Sequence, residues 1–508
     1  MMKKILKGIK EALNKRNISN ASVLALLVAV IVALNAVVYS LTTTFGLYLY
    51  SPERSDLSVS DVGDTLFYEA IKDGKTVKIM FCLDEDTLKT HDTGSFVYTT
   101  VKNLAEKYPG LIEMKFINIL TMRDEKGNYV DLTKYKKDVN GNDTALRKNS
   151  VIFEYGLNYR TITDTYSSAG FADFFTLDAG GNAVAYNGEE VVVSMMRWVL
   201  QNEHKSVYLT TNHGESLTDS AFTNMLTCAG YYVETINLRN DKIPDDAAMV
   251  IISNPISDFQ KGAQGVYSEI EKLEDYIAKG GYLYVSIDSR ARELPRLEAL
   301  LEKYGINIVG GTNEDGRFSR EFIKDNVNGI TTDGFTFVAT ATDDNMVSNN
   351  IGAAMKKYGS GKVIMKNVAR LELSGNAQAL LVSSADSVTE LAGEVVNREG
   401  SYPVAAYTSI DNEYYPDARI VVVPTVYLTV SDALVNEGYS NKDFLYITLN
   451  NIFGASCAPY GTNAVYYNQN LLEGVTARSK RVYTWILMLI PAAIAVSGFV
   501  IMRKRRNR

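Results

Sequence analysis

The chain has 508 residues, 46% of them hydrophobic and 22% charged, with three cysteines and a formal net charge of −7. That is enough apolar material for more than one core, so two or three domains are expected and a disordered polymer is excluded. The acidic balance argues against nucleic acid or an anionic lipid surface as the ligand.

Two uncharged apolar runs, residues 21–41 (ASVLALLVAVIVALNAVVYSL) and 482–502 (VYTWILMLIPAAIAVSGFVIM), are each about the ~20 residues that a helix needs to cross a bilayer. The first lacks the short apolar stretch and A-x-A-like site of a cleaved signal peptide, so it reads as an uncleaved anchor. Lys3, Lys4, Lys7, Lys10, Lys15 and Arg16 precede the first run, and Arg503, Lys504, Arg505, Arg506 and Arg508 follow the second. Basic flanks stay in the cytoplasm. The expectation is therefore a two-pass protein of the bacterial cell membrane, with cytoplasmic tails at 1–20 and 503–508 and residues about 42–481 extracytoplasmic. Taking those six and five basic residues from 52 leaves 41 between the runs, against 58 of the 59 acids, or about −17 for that region.

Residues 51–202 begin with a polar leader, then a strand at 76–83 (TVKIMFCL), a helix at 95–108 stopped by Pro109-Gly110, and a strand at 112–118. Further strands at 151–154 and 160–163 and a helix at 189–201 complete the order of a thioredoxin-like domain. The first strand ends Cys82-Leu83-Asp84-Glu85, where a redox fold would carry C-x-x-C at a helix N-terminus. Redox chemistry is not expected, and the domain binds or spaces. Cys82, Cys228 and Cys457 lie far apart and read as buried free thiols. Three histidines without H-E-x-x-H spacing predict no metal site, and no cofactor is expected. The polar insert at 121–150 reads as a solvated surface loop.

Residues 203–475 open with a strand at 205–211 (KSVYLTT), which ends in Asn212-His213-Gly214-Glu215 and feeds a helix at 219–229. Strands at 232–237, 249–253 (MVIIS) and 282–287 (YLYVSI) follow, with helices at 267–279 and 292–304; nearly continuous apolar runs suit parallel strands covered on both faces. The alternation predicts a doubly wound sheet whose C-terminal strand ends share one crevice. His213, Glu215, Asn254 and Asp288 converge on that edge as candidate ligand or partner contacts. Strands at 379–384, 404–409 and 419–425 and a helix at 441–453 complete the same sheet or form a further α/β subdomain from about 333. No elbow carries Cys or G-x-S-x-G, and Gly359-Ser360-Gly361-Lys362 lacks the spacing of a phosphate-binding loop. An enzyme is not expected.

Several of these motifs, in this order, resemble the gliding-motility-associated auxiliary family of bacteria, the auxiliary component of an uncharacterised ABC-type transport system. They are Gly188-Glu189-Glu190 before Trp198, the strand and His213-Gly214-Glu215 turn, and Pro255. Ala278-Lys279-Gly280-Gly281-Tyr282-Leu283-Tyr284-Val285, the strand Ala418-Arg419-Ile420-Val421-Val422-Val423 and Asn441-Lys442-Asp443-Phe444 complete the set. Asn212 stands where the family commonly has glycine. The resemblance implies a thioredoxin-like domain without its dithiol, a domain similar to class I glutamine amidotransferases without their nucleophile, and association with a separate ATPase and an ABC permease.

The functional expectation is a non-enzymatic, membrane-anchored accessory subunit with an extracytoplasmic domain for substrate or partner binding. Two rivals stand beside it. One is an extracytoplasmic hydrolase or amidotransferase-like enzyme using His213 with Glu215 or Asp288. The other is a carbohydrate- or peptide-binding surface protein, prompted by 32 tyrosines.

Overall fold

The computed structural model describes residues 57–135, 145–162, 171–177, 183–201, 204–215, 220–260, 268–288, 290–312, 316–434, 438–455 and 458–466. In chain order the first part comprises α1 (Asp64–Lys72), β1 (Val77–Phe81), α2 (Glu85–Thr90), α3 (Gly94–Lys107), β2 (Ile112–Asn118), β3 (Arg123–Asp124), β4 (Val151–Tyr155), β5 (Asn158–Ile162), β6 (Phe175–Leu177), β7 (Ala183–Tyr186) and α4 (Gly188–Leu200). Its sheet runs β3-β2-β1-β4-β5, with β1 and β2 parallel and β4 antiparallel to β1. Alternation along β1 decides the packing. Val77, Ile79 and Phe81 join Val97, Val101 and Leu104 of α3 in the main core, while Met80 points with Cys82 to the other face.

That second face corrects the expectation for residues 121–150. Leu132 and Tyr135, three positions apart, are buried against Met80, Ile117 and Ile152, so the insert covers the sheet as well as facing solvent. Its apolar residues were outnumbered by charge in the sequence, which hid their spacing.

The second part comprises β8 (Ser206–Thr210), α5 (Ser220–Cys228), β9 (Tyr232–Ile236), β10 (Ala247–Ser253), α6 (Glu269–Ala278), β11 (Tyr282–Ser286), α7 (Pro295–Lys303) and β12 (Ile306–Ile308). There follow β13 (Gly310–Thr312), β14 (Phe318–Lys324), β15 (Thr336–Ala341), α8 (Met346–Tyr358), β16 (Val363–Lys366), β17 (Leu371–Leu373), β18 (Gln378–Val382), β19 (Ser387–Leu391), β20 (Glu394–Gly400), β21 (Pro403–Ile410), β22 (Ala418–Val423), α9 (Asn441–Asn451) and β23 (Val465–Tyr466). Nine strands form one sheet in the order β16-β15-β18-β21-β22-β11-β10-β8-β9. From β22 to β9 the strands are parallel; from β22 to β16 each pair is antiparallel. Val207, Met249, Ile251 and Val421 face α5, α8 and α9, whereas Tyr208, Val250, Ile252 and Val422 face α6 and α7. With both faces buried, the parallel strands carry apolar side chains at consecutive positions.

The fold class is corrected accordingly. The chain is a mixed α/β structure with several sheets, and its large sheet is half antiparallel rather than wholly doubly wound. Among the described residues no helix is long and apolar enough to cross a membrane. The longest, α3, has 14 residues and spans about 21 Å, short of the ~30 Å hydrocarbon core. Residues 21–41 and 482–502 lie outside the described residues, and the expected two-pass membrane topology, with residues about 42–481 extracytoplasmic, is corrected: no described helix supports it.

Candidate functional site

Within the parallel half the spatial order is β9-β8-β10-β11-β22, so the connections diverge between β8 and β10. The crevice of an open α/β sheet forms at such a switch point, beyond the C-terminal strand ends. His213 follows β8 there, and Asn254 follows β10.

The turn after β8 reverses within three residues. Asn212 (φ 87°) and Gly214 (φ 75°) both adopt the left-handed conformation, which asparagine tolerates better than most residues. A Cβ at 214 would also lie 3.1 Å from Ile256 Cβ, so backbone and packing both call for glycine. The turn is pinned from β10, because the amides of Ile256 and Ser257 donate to the His213 carbonyl at 2.8 and 2.9 Å.

His213 is 1% exposed, and its ring stacks on Phe259 with centroids 4.1 Å apart. Nδ1 is 2.8 Å from Glu215 Oε1, and Nε2 is 2.9 Å from Glu269 Oε2. Glu215 Oε2 also accepts the His213 amide at 2.6 Å. Both ring nitrogens are thus engaged by carboxylate oxygens, and an ionised carboxylate can only accept from them. Burial works against a charged ring, yet the hydrogen bonds to Glu215 and Glu269 prevail and raise the pKa above the ordinary 6.5. For Glu215 burial again opposes ionisation, and His213 overcomes it and lowers the pKa. A base needs a free lone pair within reach of substrate. His213 has neither a free ring nitrogen nor access to solvent.

Asn254 and Asp288 form a separate set on the same edge. The Asn254 amide donates to the Ser286 carbonyl at 2.8 Å, and its Oδ1 accepts the Asp288 amide at 3.3 Å. Asp288 in turn accepts from the backbone and guanidinium of Arg290, which hold its pKa down although burial opposes them. Asp288 braces a loop. Glu269 went unread in the sequence, although Ser268-Glu269-Ile270-Glu271 carries the signal of a capping box. Ser268 Oγ accepts the Glu271 amide at 3.1 Å, and Glu271 returns the bond at 2.7 Å.

A second buried carboxylate set lies at the start of α4. Glu189 accepts the amide and hydroxyl of Ser60 and the amide of Asn463, tying the leader to the chain's C-terminal part; burial raises its pKa against those bonds. Glu190 accepts from Lys442 and Tyr446 of α9. Gly188-Glu189-Glu190 and Asn441-Lys442-Asp443-Phe444, far apart in sequence, are thus one clasp between the two sheets.

The thiols are inert. Cys82 and Cys228 are free and buried, and burial pushes both up to about 12. Cys457 lies outside the described residues. No group of three His, Cys, Asp or Glu among the described residues is placed to hold a metal ion.

A concavity of about 1140 Å³ opens beyond the C-terminal end of β1, lined by Leu83, Thr87, His91, Ile119, Leu120, Met122, Leu132, Thr133, Ala145, Leu146, Arg147, Lys148, Asn149 and Phe171. Most of this lining comes from α2, the β2–β3 turn and the insert. No pattern in the sequence marked it.

No protein-family model matches the chain, and no curated protein matches it. Among solved structures it is similar to the mmIFT52 N-terminal domain (14% identity, 48% of this chain and 96% of that one, TM-score 0.35). It is also similar to a ThuA-like protein from Bacteroides uniformis (12% identity, 49% and 90%, TM-score 0.30) and to PurLQS from Thermotoga maritima (11% identity, 48% and 98%, TM-score 0.28). Likenesses this distant say nothing of activity, and the site's own geometry is the basis for a functional reading.

Proposed function

We propose that this chain is a non-enzymatic accessory subunit of an ABC-type transport system, binding a substrate or partner on behalf of a separate ATPase and permease. The observation that carries the non-enzymatic part is the placement of His213, held between Glu215 and Glu269 with both ring nitrogens engaged. A hydrolase working at this edge needs that ring to take a proton, and doing so would first break a buried ion pair. The transport part is supported by the resemblance of the motifs, and two of those motifs meet in the Glu190–Lys442 contact, an architectural role.

The test is recovery of partners. The tagged full chain, extracted with mild detergent from its own cells, is expected to bring an ABC ATPase and permease with it. Emergence of the chain alone, while the ATPase and permease emerge as an intact pair, overturns the reading.

A further inference from the structure

We propose that the concavity at the end of β1 is a binding site for an amphipathic organic anion, an acyl chain or aromatic body ending in a carboxylate. Its walls are apolar on several sides, with Leu83 just after β1, Ile119 in the β2–β3 turn, Leu132 and Leu146 in the insert, and Phe171. Its volume of about 1140 Å³ lies slightly above the roughly 300–1,000 Å³ usual for small-molecule sites, enough for a ligand with an extended apolar body.

The sign of the ligand follows from the polar lining. Although the chain carries more acidic than basic residues, none of the described residues lining this cavity is Asp or Glu. Arg147 and Lys148 stand side by side at its wall, and neither is paired with a carboxylate among the described residues. His91 adds a third donor. Its Nδ1 accepts the Gly94 amide at 3.1 Å, so in the neutral ring the proton sits on Nε2, available to an acceptor in the cavity. Phe171 packs edge-on against that ring at 5.4 Å and fixes its tilt. A guanidinium forks naturally onto a carboxylate, while the aliphatic walls take the ligand's body out of water.

This inference deepens the proposed binding role and rests on it, yet it fails separately. Partner recovery reads assembly, whereas calorimetry reads the ligand. The purified full chain is titrated with octanoate, 1-octanol and octylammonium. Octanoate is expected to bind saturably and at least tenfold more tightly than octylammonium, with octanol between them. The R147Q/K148Q double variant should lose at least tenfold in octanoate affinity and keep that for octanol. T87W, a change at an exposed wall position, should weaken both. Equal binding of octylammonium, no binding of any probe, or octanoate binding unchanged in both variants overturns the proposal. So does cosedimentation with phosphatidylglycerol vesicles that depends on Arg147 and Lys148 without octanoate binding, which would assign the two cations to a lipid headgroup surface.

Discussion

Two of the buried carboxylate sets among the described residues are used differently. At the end of β8, Glu215 and Glu269 close on a histidine, and the set holds one turn of one sheet in place. At the start of α4, Glu189 and Glu190 gather Ser60, Asn463, Lys442 and Tyr446, joining chain segments up to 274 positions apart. The difference lies in the cation and in the reach. A histidine's charge depends on pH and its cluster is local; a lysine's charge is constant near neutrality and its clasp spans two sheets. The histidine cluster is therefore a pH-dependent local brace, and the lysine clasp sets the arrangement of the sheets.

The sharpest way to break this comparison is to remove the histidine. His213→Ala leaves two buried carboxylates facing each other without their cation, and loss of one partner of a buried charged set typically costs about 3–5 kcal/mol. Urea denaturation of the full chain should show a loss of that order in the transition reported by β8 and β10. A loss under 1 kcal/mol would mean that water reaches the cluster and the set is not a buried brace.

Glu190→Ala is expected to cost less, about 1–3 kcal/mol, since it strips the buried Tyr446 hydroxyl of its carboxylate acceptor. Its effect should also be placed differently. Hydrogen exchange should quicken in α4 and α9 and stay unchanged around His213. Equal quickening at both sites would erase the distinction between local brace and clasp.

How much of this was legible in the sequence follows the same division. The parallel strands were readable because burial on both faces makes their apolar runs continuous, as in residues 249–253. The strands β14, β19 and β20 went unread, although Ala392-Gly393 adopts positive φ at both positions and closes the β19–β20 hairpin. Within the candidate site, His213 and Glu215 lie two residues apart and were read together. Glu269 is 56 positions from His213, and only the docking of α6 onto the sheet brings it to Nε2. The clasp motifs were visible as motifs, but nothing in their spacing says that Glu190 meets Lys442. Contacts made by sheet assembly leave no local period, and the cavity lining shares that property.

A smaller effect separates the clusters by pH. His213 has a raised pKa, so its contribution to stability is complete below the ordinary 6.5 and is lost as pH rises through the raised value. Glu215 is lowered, so its contribution is complete above the ordinary 4.5 and is lost as pH falls through the lowered value. The brace is therefore strongest between 4.5 and 6.5. In the clasp region, burial raises Asp443 to about 6, and its contribution falls as pH rises through that value. The stability difference between wild type and His213→Ala, measured from pH 5 to 9, should shrink towards the alkaline end. A difference that stays flat over that range would show that the ring does not owe its hold to its charge.

The smallest effect is one of reactivity, and it reads the clasp directly. Cys82 and Cys228 are both buried with thiols raised to about 12, so iodoacetamide at neutral pH should label neither in the native chain and both after denaturation, as located by peptide mass mapping. Their surroundings differ. Cys228 sits among Glu190, Lys442 and Tyr446, whereas Cys82 packs with Met80, Ile117 and Leu132 on the far face of the five-stranded sheet. Glu190→Ala should therefore speed labelling of Cys228 several-fold and leave Cys82 protected. If both thiols stay protected, the clasp does not gate access to Cys228. If both open together, the two sheets unfold as one unit and the clasp carries no separable share of their stability.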